Sequence, residues 1–194
     1  MSKFTSILTI SKWAVVPAAL MASGLLVWQS SYAAFSSTTT NPTNNWTAGT
    51  VALTDDDSNT AMFTAAALKP GATGEKCIVV TSSGNLASTV KLYATTYSTT
   101  AALGSYIDLV IQEGSGGSFS SCTGFTSAAT NFTGTLAAFA AANTNFGNGL
   151  SSWAPAAGTV TRTFRIAYTI NTSAPNSAQG GTAAAGLTWE AQNS

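Results

Sequence analysis

The chain has 194 residues, 7% of them charged and 45% hydrophobic, with seven basic and seven acidic side chains and no histidine. Charge this far below the usual ~25% excludes a nucleic-acid binder, which needs basic clusters to neutralise phosphates, and leaves a surface of hydroxyls, amides and small apolar groups. Wholesale disorder is excluded as well, because aromatic and β-branched residues recur in short organised runs.

Residues 1–34 read as a cleaved signal peptide. Lys3 and Lys12 supply the positive start, and residues 13–28 form an apolar run that is shorter than the ~20 residues needed to span hydrocarbon and contains Pro17 and Gly24. Ser31 and Ala33 provide the small side chains that a signal peptidase requires, which places the cut after Ala33 or Ala34. Membrane contact is then confined to the signal before cleavage, and the expected location is extracellular or at the cell surface. About 160 residues remain, enough for one domain over 35–194. Five basic residues (Lys69, Lys76, Lys91, Arg162, Arg165) face seven acidic ones there, a net charge of −2. Such weak charge does little to keep copies apart and favours self-association.

Residues 35–45 are Thr, Ser and Asn with one proline, Pro42, which predicts a flexible or extended lead. The first strand is expected over 46–53, followed by the polar turn Asp55-Asp56-Asp57-Ser58-Asn59. Residues 61–68, with Met62, Phe63 and Leu68, fit a strand and a short helix equally and end at the break Lys69-Pro70-Gly71. The β-branched run Cys77-Ile78-Val79-Val80 and the alternation Val90, Leu92, Ala94 predict two adjacent antiparallel strands. Residues 106–113 place Ile107, Leu109 and Ile111 on one face and Asp108 and Gln112 on the other. Leu136-Ala137-Ala138-Phe139-Ala140-Ala141-Ala142 is rich in good helix formers and predicts the one helix of the mature chain. Residues 161–170 alternate Phe164, Ile166, Tyr168 and Ile170 against polar neighbours, and 184–191 close the chain as a strand around Leu187 and Trp189. About seven short strands with turn residues between them, and no βαβ rhythm, predict an all-β fold: a jelly-roll-like antiparallel β-sandwich with one short helix, preceded by the cleaved signal helix.

Cys77 and Cys122 are the only cysteines, and an exported chain meets oxidising conditions, so a disulfide between them is expected. Their spacing is far from CxxC, and without histidine they complete no zinc site. The same lack leaves a Ser or Cys nucleophile only Lys69, Lys76 or Lys91 as a base, each in a polar context that suggests solvation. Glu75, Asp108, Glu113 and Glu190 are scattered and mark no acid–base pair. The cluster Asp55 to Asp57 has oxygens suited to a hard cation but lacks the glycine and distal glutamate of an EF-hand loop, and reads as a solvated turn. The expectation is a protein without catalytic, metal or cofactor residues. Trp46, Trp153 and Trp189 offer faces for stacking on sugars, although alternation in a strand assigns Trp189 to the core.

Several local patterns occur together: Tyr32-Ala33-Ala34-Phe35-Ser36 at the cut, Asn45-Trp46-Thr47-Ala48-Gly49-Thr50-Val51 after it, and Leu68-Lys69-Pro70-Gly71 before the next strand. Cys77-Ile78-Val79-Val80, Val90-Lys91-Leu92-Tyr93-Ala94, Phe164-Arg165-Ile166 and Leu187-Thr188-Trp189-Glu190-Ala191 continue the series. In this order they resemble the TasA/camelysin family of exported bacterial proteins. The resemblance implies a jelly-roll sandwich, processing by a signal peptidase of the SipW type, and a biofilm matrix fibre in which the N-terminal strand of one subunit completes the sheet of the next. Phe35 and Trp46 would then bound the donor strand. Ser37 departs from the pattern, where an acidic residue is expected soon after the cut. The metalloprotease activity attributed to camelysin-type members would need metal ligands and a general base, and this chain has no histidine. The function expected is a secreted structural subunit or accessory of an extracellular matrix fibre, self-associating or joined to other secreted matrix proteins. The alternative is a monomeric surface-associated module that binds a cell-wall glycan or a secreted partner.

Overall fold

Alternating apolar side chains give each long strand one face that must be removed from water, and two such sheets packed face to face are the simplest way to do it. The computed structural model describes residues 47–193, and Thr47–Ser194 forms one compact unit. The cleavage residues Ala33 and Ala34 and the donor-strand residues Phe35 and Trp46 lie outside the described residues, as does the signal helix.

The described residues form eight strands: β1 (Leu53–Asp55), β2 (Thr73–Ser82), β3 (Ser88–Thr99), β4 (Ile107–Ser115), β5 (Thr126–Thr135), β6 (Leu150–Trp153), β7 (Val160–Ile170) and β8 (Ala183–Asn193). One sheet has the order β1-β2-β7-β4-β5 and the other β6-β3-β8, with every pairing antiparallel. The fold is thus the all-β sandwich that the alternation predicts. Ile78, Val80, Leu109, Ile111, Phe164 and Ile166 of the larger sheet bury against Val90, Leu92, Ala94 and Trp153 of the smaller one. The one α-helix among the described residues, α1 (Leu136–Ala142), lies where the helix formers place it. Thr135 caps it by accepting the Ala138 amide on its hydroxyl at 3.1 Å, and Phe139 and Ala140 enter the core.

Three expectations are corrected, and two strands appear that none foresaw. β2 and β3 are not neighbours in one sheet: β2 pairs with β1 and β7, and β3 with β6 and β8, so the turn between them crosses from one sheet to the other. Both strands carry apolar faces that meet across the core, which alternation cannot distinguish from pairing side by side. The first strand is only Leu53–Asp55, because its register with Ser82 to Val80 uses just the end of β2, and Asp55 belongs to it and not to a turn. Residues 61–68 are neither strand nor helix. β5 and β6 form where composition gave no sign of a strand, β5 being Thr126-Ser-Ala-Ala-Thr-Asn-Phe-Thr-Gly-Thr135, mostly exposed and held in place by its register with β4.

Residues 116–125, between β4 and β5, cross the outer surface of the larger sheet as a strap. Cys122 is bonded to Cys77 of β2, with the Cα atoms 5.3 Å apart across 45 positions. Nearer its middle, the Phe119 amide donates to one Asp56 carboxylate oxygen and the Val79 amide to the other, each at 2.8 Å. Asp56 therefore serves the main chain of both β2 and the strap beside the short edge strand β1. Lys76 leans on the Phe119 ring and Arg165 on Phe125. Arg165 also donates through Nε to Gln112 at 3.0 Å and pairs with Glu75 at 3.7 Å, an exposed pair that adds little by itself. Replacing Asp56 by Ala leaves one amide of β2 and one of the strap without acceptors, and urea unfolding is expected to show a loss of about 2–4 kcal/mol. Replacing Cys77 and Cys122 together by Ala is expected to cost up to about 4 kcal/mol by the same measurement, because the unfolded chain regains its loop entropy.

Candidate functional site: an open strand edge above an apolar groove

Strands lie ~4.8 Å apart, so five of them span about 19 Å and three only about 10 Å. The smaller sheet cannot cover the apolar face of the larger one. On the side of β5, the difference is filled by α1, whose last turn meets β3 when the Ala94 amide donates to the Asn143 carbonyl at 2.8 Å. On the side of β1 and β2 it is filled by residues 57–68, and the filling is incomplete. A groove of about 540 Å³ remains between the sheets there. Its lining runs from Ile166 and Tyr168 of β7 through Leu109 of β4 to Leu187 and Trp189 of β8, with Met62 and Phe63 on the outer side.

β8 forms the roof. Register places Leu187 opposite Ala94, Trp189 opposite Leu92 and Ala191 opposite Val90, which puts this row on the inner face. Trp189 packs against Phe164 at 5.4 Å between ring centroids and is half-buried, in keeping with a core role. β8 is hydrogen-bonded to β3 along one edge, and no strand among the described residues pairs with the other. Eleven residues of β edge are thus available, with Glu190 the only charged residue and no proline or lysine to discourage pairing. The other long open edge, β5, differs in two respects. Its pairing with β4 is broken by two register shifts, against one in the pairing of β8 with β3, and the lining of the groove contains none of its residues.

The floor depends on a close approach. Tyr168 lies directly opposite Gly74 in register, and a Cβ on Gly74 would sit 2.5 Å from the Tyr168 ring, so the ring lies flat over the glycine only because that side chain is missing. Phe63 meets the same ring edge-on at 5.2 Å. On the outer face of β8, the Tyr93 hydroxyl donates to Glu190 at 2.7 Å and the Gln192 amide donates to the other carboxylate oxygen at 2.8 Å. The Gln192 and Tyr93 contacts hold the Glu190 carboxyl below its usual value. The bond to Glu190 raises the Tyr93 phenol above its ordinary 10.0. The Glu190 contribution to stability is therefore present above the normal carboxylate range and lost as pH falls through the lowered value.

The groove is not where sequence reasoning placed chemistry. Cys77 and Cys122 are joined as expected. Lys76 and Lys91 are half-buried against Phe119 and Phe146 and are not simply solvated, whereas Lys69 is exposed. Trp153 is buried, with Arg162 over its ring, so it offers no stacking face. Asp56 is spent on main-chain amides. Asp55 is raised from its usual value by burial and by the contact with Asp57. Glu113 is buried and accepts from Asn131, away from the other carboxylates. The groove could have been sought from β8 itself, where Ala183, Ala185, Leu187, Trp189 and Ala191 form an apolar row in a segment without edge-protecting residues.

Replacing Gly74 by Val is expected to displace the Tyr168 ring and lower stability by about 1–3 kcal/mol in a denaturant titration. Replacing Glu190 by Gln should bring the Tyr93 ionisation down toward 10.0, read from the ultraviolet phenolate band. No protein-family model matches the chain, and no curated protein shows significant similarity to it.

Proposed function

We propose that the protein is a secreted structural subunit of an extracellular matrix fibre, assembled when the N-terminal lead of one copy adds as a strand to the sandwich of the next. The observation that carries this reading is the edge of β8 that no strand among the described residues pairs with, running along an apolar groove. Main-chain groups on such an edge supply affinity for an extended segment, and the groove beneath supplies places for alternate side chains. The lead suits the role by length: residues 35–46 are twelve in number against the eleven of β8, with four Thr among them, Phe35 at one end, Trp46 at the other, and Pro42 removing one main-chain donor. Weak surface charge removes the usual barrier to association. Export through the N-terminal signal delivers the chain where the Cys77–Cys122 bond is stable. In this reading nothing is catalysed.

Electron microscopy of protein beginning at Phe35, compared with protein lacking residues 35–45, tests the proposal. Filaments from the first and none from the second are expected. Monodisperse particles from both would overturn it in favour of a monomeric module that binds a glycan or secreted partner, for which a groove of about 540 Å³ is of suitable size.

A further inference from the structure

Residues 61–68 stand out as a segment with fixed ends and a loosely held middle. Before it, Asp56 is clasped by two amides and Thr60 donates its amide to the Asp57 carbonyl at 3.0 Å. After it, the Gly71 amide donates to Ile170 at 2.8 Å and the Ala72 amide to Lys69 at 2.9 Å. Between these anchors, residues 61–68 make no hydrogen bond among the described residues. Six of the eight are exposed, and only Met62 and Phe63 are half-buried, where they form the outer wall of the groove. Ala67 adopts φ 53°, a left-handed conformation that costs a non-glycine residue about 1–2 kcal/mol. A segment whose amides find no protein partner, which contains a strained alanine and rests on two side chains, belongs to the least stable part of the fold.

It also stands across the groove from the open edge of β8. We infer that residues 61–68 are a displaceable flap: they cover the groove in the free subunit and give way to residues 35–46 of a second copy, which pair with β8. This rests on the assembly reading above. The Met62 and Phe63 side chains shield part of the apolar floor until the strand arrives, and the anchored ends at Asp56 and Gly71 let the middle swing away without disturbing β1 or β2. Because the flap must leave first, the strand's apparent affinity is reduced by the fraction of molecules in which the flap is closed.

The test uses the Thr47–Ser194 unit, which contains the core and the disulfide, and a fluorescent peptide of residues 35–46 followed by anisotropy. The peptide is expected to bind about tenfold more tightly to the variant Met62→Ala, Phe63→Ala than to the unaltered unit. Chymotrypsin provides a readout on the unaltered unit: peptide binding should speed cleavage after Phe63. Equal affinities together with unchanged or slower cleavage after Phe63 would overturn the flap while leaving strand addition intact. Absence of binding to either protein would overturn strand addition itself, and the flap with it.

Discussion

The mismatch in width between the two sheets governs the rest of this structure. A five-stranded apolar face opposite three strands leaves a strip on each side that water must not reach, and each strip needs a cover. α1 covers one strip as a capped helix that sends Phe139 into the core. The other strip is covered by an irregular segment resting on Met62 and Phe63, beside a strand edge that no strand among the described residues pairs with. One side of the sandwich is finished and the other is provisional. A further strand beside β8 would widen the smaller sheet to four.

The way the molecule spends its strong interactions agrees with this division. The disulfide, the strap across the outer sheet and the two-amide clasp on Asp56 all fix β2, the strand that carries the edge of the larger sheet. They hold the groove's floor and one hinge of the segment above it, while the segment itself has none of these supports. Rigidity close to a movable element is what lets a binding surface open without unfolding. The lack of lysine and proline on β8 belongs to the same account, since these residues discourage strand addition at an edge.

Much of the architecture was legible in the sequence, for definite reasons. β7 and β4 alternate cleanly because each has one face in the core and one toward the strap and solvent. α1 is legible because a threonine cap is followed by seven residues of which six, all but Phe139, have high helix propensity. The disulfide was expected because the chain has two cysteines and its start reads as an export signal. β5 was illegible because an edge strand in contact mainly with water needs no apolar row, and its Thr, Ser and Ala residues are placed by β4. The partners of β2 were misjudged because consecutive strands of a sandwich meet across the core with the same alternation that neighbours in a sheet show. The groove was illegible because it arises from a difference in strand number between two sheets, a property of topology that no local window contains. Residues 61–68 fitted two regular structures equally and adopt neither, since no partner strand or helix turn satisfies their backbone.

The most direct measurement of whether β8 is the unfinished edge is amide hydrogen exchange, residue by residue, in the free subunit and in the assembled state. The account predicts that amides of β8 between Ala183 and Asn193 gain protection on assembly while those of residues 61–68 exchange at least as fast as before. Protection gained along β5 instead, with β8 unchanged, would contradict it.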